Sequence, residues 1–242
     1  MTTTTATATT PETLDLYREV HKGLRKALFS LCEHAGSLDP ADDEARKSFV
    51  VRFAEVEKML TQHHEHEDTA FMGDLIAAKA PDLIAEVEAG HEAIVDAVDT
   101  LRRAVISIGD GGGDADELYD LVAAFVVDYL SHMAFEEHQV MPALAAASTF
   151  GELLAVQIGV RTTALPTDVA MFMRWALPAM NPDERTAMLG GMKANAPAEV
   201  FDIFWATAGE VLTTTELAVV AARIGDDVAE CDDTEGHRAF YW

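Results

Sequence analysis

The sequence predicts an all-α protein: an up-down-up-down four-helix bundle in the first 145 or so residues, followed by a C-terminal helical extension. Three observations carry this expectation. The 242-residue chain is rich in Ala, Leu, Glu and Met and holds only 8 Pro, a composition that favours helix. Four long stretches place apolar residues at alternating steps of three and four, the signature of one buried helical face. Short turn signals separate them, as in antiparallel bundles.

The first stretch runs from about Glu12 to His34, through Leu14, Tyr17, Leu24, Leu28 and Leu31. Asp39-Pro40 marks a loop. The second runs from about Asp43 to Leu75, with Phe53, Val56, Leu60, Ala70 and Phe71 on one face. Ala80-Pro81-Asp82 signals a turn and a new start. The third continues to Ile108 through Ile84, Val87, Ile94, Val98, Leu101 and Val105, and Gly109 to Gly113 is a glycine linker. The fourth runs from about Asp114 to Ala146 through Leu118, Val122, Phe125, Tyr129 and Val140. These stretches set the bundle at residues 12–147, after a Thr/Ala-rich lead-in over 1–11 that is expected to be disordered.

Residues 148–225 read as shorter helices punctuated by Pro166, Pro178, Asn181-Pro182 and Ala196-Pro197. Asn181 before Pro182-Asp183-Glu184 is a strong helix start, with a capping side chain and acids in the first turn. A last long helix is expected over Ala198 to Ile224. An acidic tail, 226–242, closes on Arg238-Ala239-Phe240-Tyr241-Trp242. The extension either caps the bundle or builds a homodimer contact.

The net charge of −25 argues against nucleic acid and anionic membranes as partners, because both repel an acidic surface. No uninterrupted apolar run reaches the roughly 20 residues needed to cross a bilayer. Cys32 and Cys231, the two cysteines, form neither a disulfide framework nor a CxxC pair, which suits a reducing cytoplasm. The start of the chain lacks the basic and apolar regions of a signal peptide.

The chemistry lies in an internal repeat. His21 and His91 are 70 positions apart; His63 and His132 are 69 apart, as are Glu67 and Glu136. Each half reads His, about forty residues, then His-x-x-x-Glu, which suggests two helical hairpins related by a pseudo-twofold axis. Residues four apart project from one face of a helix. His63 and Glu67 extend the apolar line of Phe53, Val56 and Leu60; His132 and Glu136 extend Phe125 and Tyr129. His21 lies between Tyr17 and Leu24, and His91 between Val87 and Ile94. All six therefore replace apolar residues at core positions. Two buried carboxylates need compensation, and four imidazoles with two carboxylates match a pair of divalent or trivalent cations. A single buried His is more often a hydrogen-bonded core residue, and a single HxxxE more often an exposed pair; six at one period on four seams are not accounted for in that way. His64 shares a face with Glu57, Thr61 and Asp68 and is expected at the surface, as are His34, His66, His138 and His237. Ferritin-like sites use Glu-x-x-His twice; here Glu88-x-x-His91 fits that spacing only once.

In these residues the chain resembles the hemerythrin HHE cation-binding family. The resemblance rests on Tyr17-Arg18-Glu19-Val20-His21, on His63-His64-Glu65-His66-Glu67 with Phe71-Met72, on His91, and on His132-Met133-Ala134-Phe135-Glu136-Glu137 with Met141-Pro142. It covers about residues 12–146 and is greatest for the actinobacterial members with a H, HxxxE, H, HxxxE set. Invertebrate oxygen carriers have a second histidine where this chain has Val95, and HxxxxD in the fourth helix in place of His132-x-x-x-Glu136. The resemblance implies two iron ions, bridged by an oxo or hydroxo group and by Glu67 and Glu136, one held by His21 and His63 and the other by His91 and His132. Each iron then keeps an open position for a small oxidant: O2, H2O2 or NO. Tyr17 and Tyr129 lie one helical turn from a histidine and read either as hydrogen-bond donors beside the metals or as bundle core. Glu137 reads as a proton relay or a surface acid. Catalase-like peroxide breakdown leads, with reversible O2 or NO binding, or iron and oxygen sensing, as the alternative. Iron storage is a further class, and a two-zinc hydrolase ranks last, because no oxyanion device is evident near the six residues.

Overall fold

The computed structural model describes residues 14–68 and 72–230. Among these residues it contains ten helices and no strand. The expected lead-in over 1–11, Ala70 and Phe71, Cys231, His237 and the aromatic chain end lie outside the described residues.

Helix α1 covers Arg18–Gly36 and buries His21, Leu24, Leu28, Leu31 and Ala35 along one stripe. Its start lies later than the periodicity suggested, because Asp15 caps it: the Asp15 carboxylate accepts from the Tyr17 and Arg18 amides. Helix α2, Asp43–Asp68, buries Phe49, Phe53, Val56, Leu60, His63 and Glu67 at heptad spacing. The second stretch is two helices rather than one, since α2 ends at Asp68 and α3 occupies Met72–Lys79. Helix α4, Pro81–Gly109, starts on the expected proline and buries Val87, His91, Ile94, Val98, Leu101 and Val105. The glycine linker then turns through Gly111 and Gly113, both with φ near +80°, a conformation that costs a β-carbon residue more than glycine. Asp114 accepts from the amides of Asp116 and Glu117 and so starts α5.

Helix α5 spans Ala115–Ala147 with a π turn over Glu136–Val140. By length and mean hydropathy, rather than by uninterrupted runs, this helix is long and apolar enough to cross a membrane. Its apolar stripe of Leu118, Val122, Phe125, Tyr129 and Met133 is buried inside the bundle.

The extension comprises α6 (Phe150–Thr163), α7 (Pro166–Ala179), α8 (Pro182–Asn195), α9 (Ala198–Val211) and α10 (Thr214–Glu230). Asn181 caps α8 in a capping box with Glu184, as the sequence indicates. The expected Ala198–Ile224 helix is instead two. Thr213 and Glu216 exchange side-chain-to-amide hydrogen bonds of 2.9 Å and 3.3 Å, a second capping box that makes a new start more favourable than continuation.

Helix α7 runs against α1, so the extension sits on the bundle. A β-carbon on Gly23 would meet Phe172 at 3.0 Å and Ala176 at 3.2 Å, which shows how closely the two helices approach. Lys22 reaches Glu184 and Lys58 reaches Asp168, both at 2.5 Å. Arg52 lies 4.7 Å over the Trp175 ring, a cation–π contact worth about 0.5–1 kcal/mol at an exposed site. Two apolar clusters fill the bundle. One surrounds Leu28, Phe53 and Leu101; the other, at the end holding Tyr17, Met72 and Leu144, also takes Leu153 and Val156 from α6. The six repeated polar residues lie in the bundle between these clusters.

Candidate metal centre

His21, His63, Glu67, His91, His132 and Glu136 converge although they come from four helices. All are at most 8% exposed. Glu67 and Glu136 each face both histidine pairs. Glu67 Oε1 lies 3.3 Å from His63 Nε2, and its Oε2 lies 3.3 Å from His91 Nε2. Glu136 Oε2 lies 3.3 Å from His21 Nε2, and its Oε1 lies 3.1 Å from His132 Nε2. The donors thus form two overlapping groups: His21, His63, Glu67 and Glu136; and Glu67, His91, His132 and Glu136.

These donors suit cations better than they suit one another. All four carboxylate oxygens, with His91 Nε2 and His132 Nε2, are buried without a hydrogen-bond partner. The atoms are near but not aligned donor to acceptor. His21 Nε2 and His63 Nε2 face each other at 3.3 Å, close to the roughly 3 Å between donors bound about 2.1 Å from one cation at right angles. An unsatisfied buried carboxylate is costly, and metal bound among these donors would offset that cost.

The electrostatics express the same crowding. Burial raises the Glu67 pKa, and the Glu136 charge adds to it. Burial acts upward on Glu136 as well, but contacts with His132, His21 and His91 outweigh it and hold Glu136 low. His21 stands at about 9 and His91 at about 10, because their carboxylate contacts overcome the downward pull of burial. His63, enclosed and beside His21, is held well below the usual range.

A ring of supporting contacts orients the imidazoles. His21 Nδ1 donates to Glu137 Oε1 at 2.9 Å, and Arg25 clamps Glu137 with two hydrogen bonds of 2.6 Å and 2.9 Å. His91 Nδ1 donates to Asp68 Oδ1 at 2.8 Å. Both bonds leave Nε2 free to face the glutamates, and outer carboxylates of this kind fix ring orientation in metal sites. The braces cross between hairpins: Glu137 of α5 holds His21 of α1, and Asp68 of α2 holds His91 of α4. With both oxygens engaged, Glu137 is better placed as a holder of His21 than as a mobile proton relay.

The expected surface position of His64 is wrong. The ring is 7% exposed, stacks on His91 at 4.5 Å between centroids, and places Nε2 3.0 Å from the Tyr129 hydroxyl. Burial and the neighbouring His91 and His132 push its pKa down to about 3. At this level α2 is enclosed by α4 and α5, so two adjacent positions are buried instead of one. The signal was available: His64 lies four residues after Leu60 and eight after Val56. It also forms a third donor group with His91 and His132. His66 is half-buried rather than fully exposed. Tyr17 is buried with its ring 5.2 Å from His21, and its hydroxyl has no hydrogen-bond partner. Both tyrosines therefore border the site while belonging to the apolar core.

Space for His132 depends on Gly90. A β-carbon there would overlap His132 Nδ1 and lie 2.8 Å from Cε1. The residue before one candidate donor thus keeps open the place of another.

Residues 12–156 match the family described as Hemerythrin HHE cation binding domain. No curated protein matches the chain, and no solved structure does. The match takes in more than half of the 242 residues and every one of the six converging residues. The chain belongs to the hemerythrin HHE cation-binding family.

Proposed function

We propose that this is a non-haem di-iron protein that binds or turns over a small oxidant, with catalase-like breakdown of peroxide as the leading activity. The observation that carries the proposal is the pair of two-faced glutamates, each presenting one oxygen to His21 and His63 and the other to His91 and His132. In this reading His21 and His63 would hold one iron, His91 and His132 the other, and Glu67 and Glu136 would serve both. When bound, such a pair supplies two-electron exchange between di-ferrous and di-ferric states, the capacity needed to convert two H2O2 into O2 and two H2O. The chain's own part is positional. Glu137 and Asp68 hold His21 and His91 with Nε2 directed inward. Tyr17 and Tyr129, both buried, pack beside His21 and His132.

The experiment is iron analysis and visible spectroscopy of the purified protein, followed by peroxide addition in an oxygen electrode. Two irons per chain and sustained O2 release, lost in His91→Ala, are the expected results. Zinc in place of iron, with no O2 release, would overturn the reading.

A second reading, reversible O2 or NO binding, draws on His64. Three imidazoles cluster on the His91 side and two on the His21 side. If His64 also donates, the two sides would offer unequal donor sets, which suits a carrier. A stable, reversible O2 adduct without turnover would select this reading.

A further inference from the structure

A cavity of about 580 Å3 lies between the bundle and the extension. Among the described residues, its bundle wall carries Val20, Leu24, Met59 and Met72, and its extension wall Val160 of α6, Phe172 of α7, and Met188 and Met192 of α8. His63 and Glu67 line it too, although they are only 6% and 5% exposed. So do Thr163, Leu165 and Pro166 at the surface. The space therefore reaches from solvent to the His63–Glu67 side of the candidate metal centre.

Two parts of the chain build this wall. The family match ends at residue 156, so Val160, Phe172, Met188 and Met192 belong to the extension beyond it. Their contribution is out of proportion to a small oxidant. A diatomic gas or hydrogen peroxide needs little more space than a water molecule, about 30 Å3, whereas cavities of roughly 300–1,000 Å3 hold organic ligands. Met59, Met72, Met188 and Met192 are unbranched, and such side chains adapt to a flexible alkyl chain. A head group that reaches His63 and Glu67 leaves bulk water, and a charged one would lose its hydration there. An aliphatic chain with a neutral polar head satisfies both the wall and the buried end.

We propose that the extension sets the substrate class of the centre: a medium-chain alkyl hydroperoxide, its chain against Phe172, Met188 and Met192 and its O–O head at His63 and Glu67. The proposal rests on the di-iron reading for its chemistry, though not for the apolar site. The balanced reaction is ROOH + H2O2 → ROH + H2O + O2. The O–O bond of the alkyl hydroperoxide breaks, and its oxygens leave as alcohol and water. The two electrons and two protons consumed come from H2O2, which is oxidised to O2. The alkyl hydroperoxide thus replaces one of the two peroxides of catalase-like turnover.

The test pairs binding with turnover. Calorimetric titration of the full-length, iron-loaded protein with hexanol, octanol and decanol reads the site without any reaction. The expected result is saturable one-to-one binding that tightens about fourfold per added methylene, with a shift of the visible absorption on decanol binding. Decanoate and decylamine should bind at least about tenfold more weakly than decanol, because their charged heads resist desolvation. With H2O2 present, octyl hydroperoxide should yield octanol and O2 in equal amounts, read by gas chromatography and an oxygen electrode. Val160→Trp and Ala164→Trp fill the cavity from two places, both outside the donor set and the family match. Each should weaken alcohol binding by about tenfold or more and slow octanol formation, while H2O2 turnover is unchanged. Non-saturable heats, equal or tighter binding of the charged homologues, unaltered alcohol binding in both variants, or H2O2 turnover without octanol formation would overturn the proposal and leave the di-iron reading standing. Alcohol binding without consumption of either peroxide would overturn the di-iron reading, and the hydroperoxide assignment with it.

Discussion

The two halves of the candidate metal centre present the same donor types but support them differently. On the His21 side the orienting acid, Glu137, is partly buried and clamped by both arms of Arg25. On the His91 side Asp68 is 55% exposed, and rigidity comes instead from packing: His64 stacks on His91, and Tyr129 holds His64. One half is thus braced by charge and the other by stacked rings. A repeated hairpin fixes which residues enter the centre, whereas the layer behind them is free to diverge.

The largest expected effect removes what the halves share. Glu67→Ala takes one oxygen from each donor group, so both metals should be lost together and the unfolding temperature should fall, because bound metal stabilises the folded state. Metal analysis beside a thermal melt checks this; retention of one metal per chain would show that the halves bind independently. Next is Gly90→Ala, which pushes His132 aside. It should lower metal content on the His91 side and leave the His21 side occupied, a selective loss visible as half stoichiometry.

The braces come third. Glu137→Ala should weaken metal retention by about 10- to 100-fold, the usual cost of losing an outer-sphere carboxylate, and competition with a chelator measures it. Asp68→Ala should cost less, about tenfold or below, since the exposed Asp68 is screened by solvent and the stacked His64 still holds His91. Equal losses in these two variants would remove the distinction between charge bracing and ring bracing. The smallest effect belongs to Glu65→Ala, on the outer face of α2 between His64 and His66, which should leave both metal content and melting temperature unchanged.

Much of this was legible in the sequence because long amphipathic helices make register visible. His63 and Glu67 stand at successive positions of the seam through Phe53, Val56 and Leu60, so their inward direction follows from 3.6 residues per turn. His64 escaped because seam reasoning assigns one buried line per helix, and burial of its neighbour depends on how tightly other helices close around it. The braces escaped for a related reason: His21–Glu137 and His91–Asp68 join different hairpins, and no local period records that. A trace is nevertheless present, since an acid directly follows each central glutamate. The Thr213–Glu216 capping box was a local signal that the apolar pattern from Ala198 to Ile224 masked.

The π turn over Glu136–Val140 has a meaning best put in terms of phase. A helix that gains one residue in a single turn slips by about 100° relative to a regular α-helix. Upstream of the slip, α5 addresses the bundle interior with Phe125, Tyr129, His132 and Glu136; downstream, it addresses the end cluster with Val140, Met141 and Leu144. At the equivalent place in the first hairpin, just after Glu67, α2 ends and a separate helix begins at Met72. One hairpin changes partners by ending its helix, and the other by shifting gear within it. A one-residue deletion between Glu137 and Val140 would therefore remove the extra residue and close the turn as regular α-helix, leaving Met141 to Ala147 against the end cluster and His132 and Glu136 at their four-residue spacing.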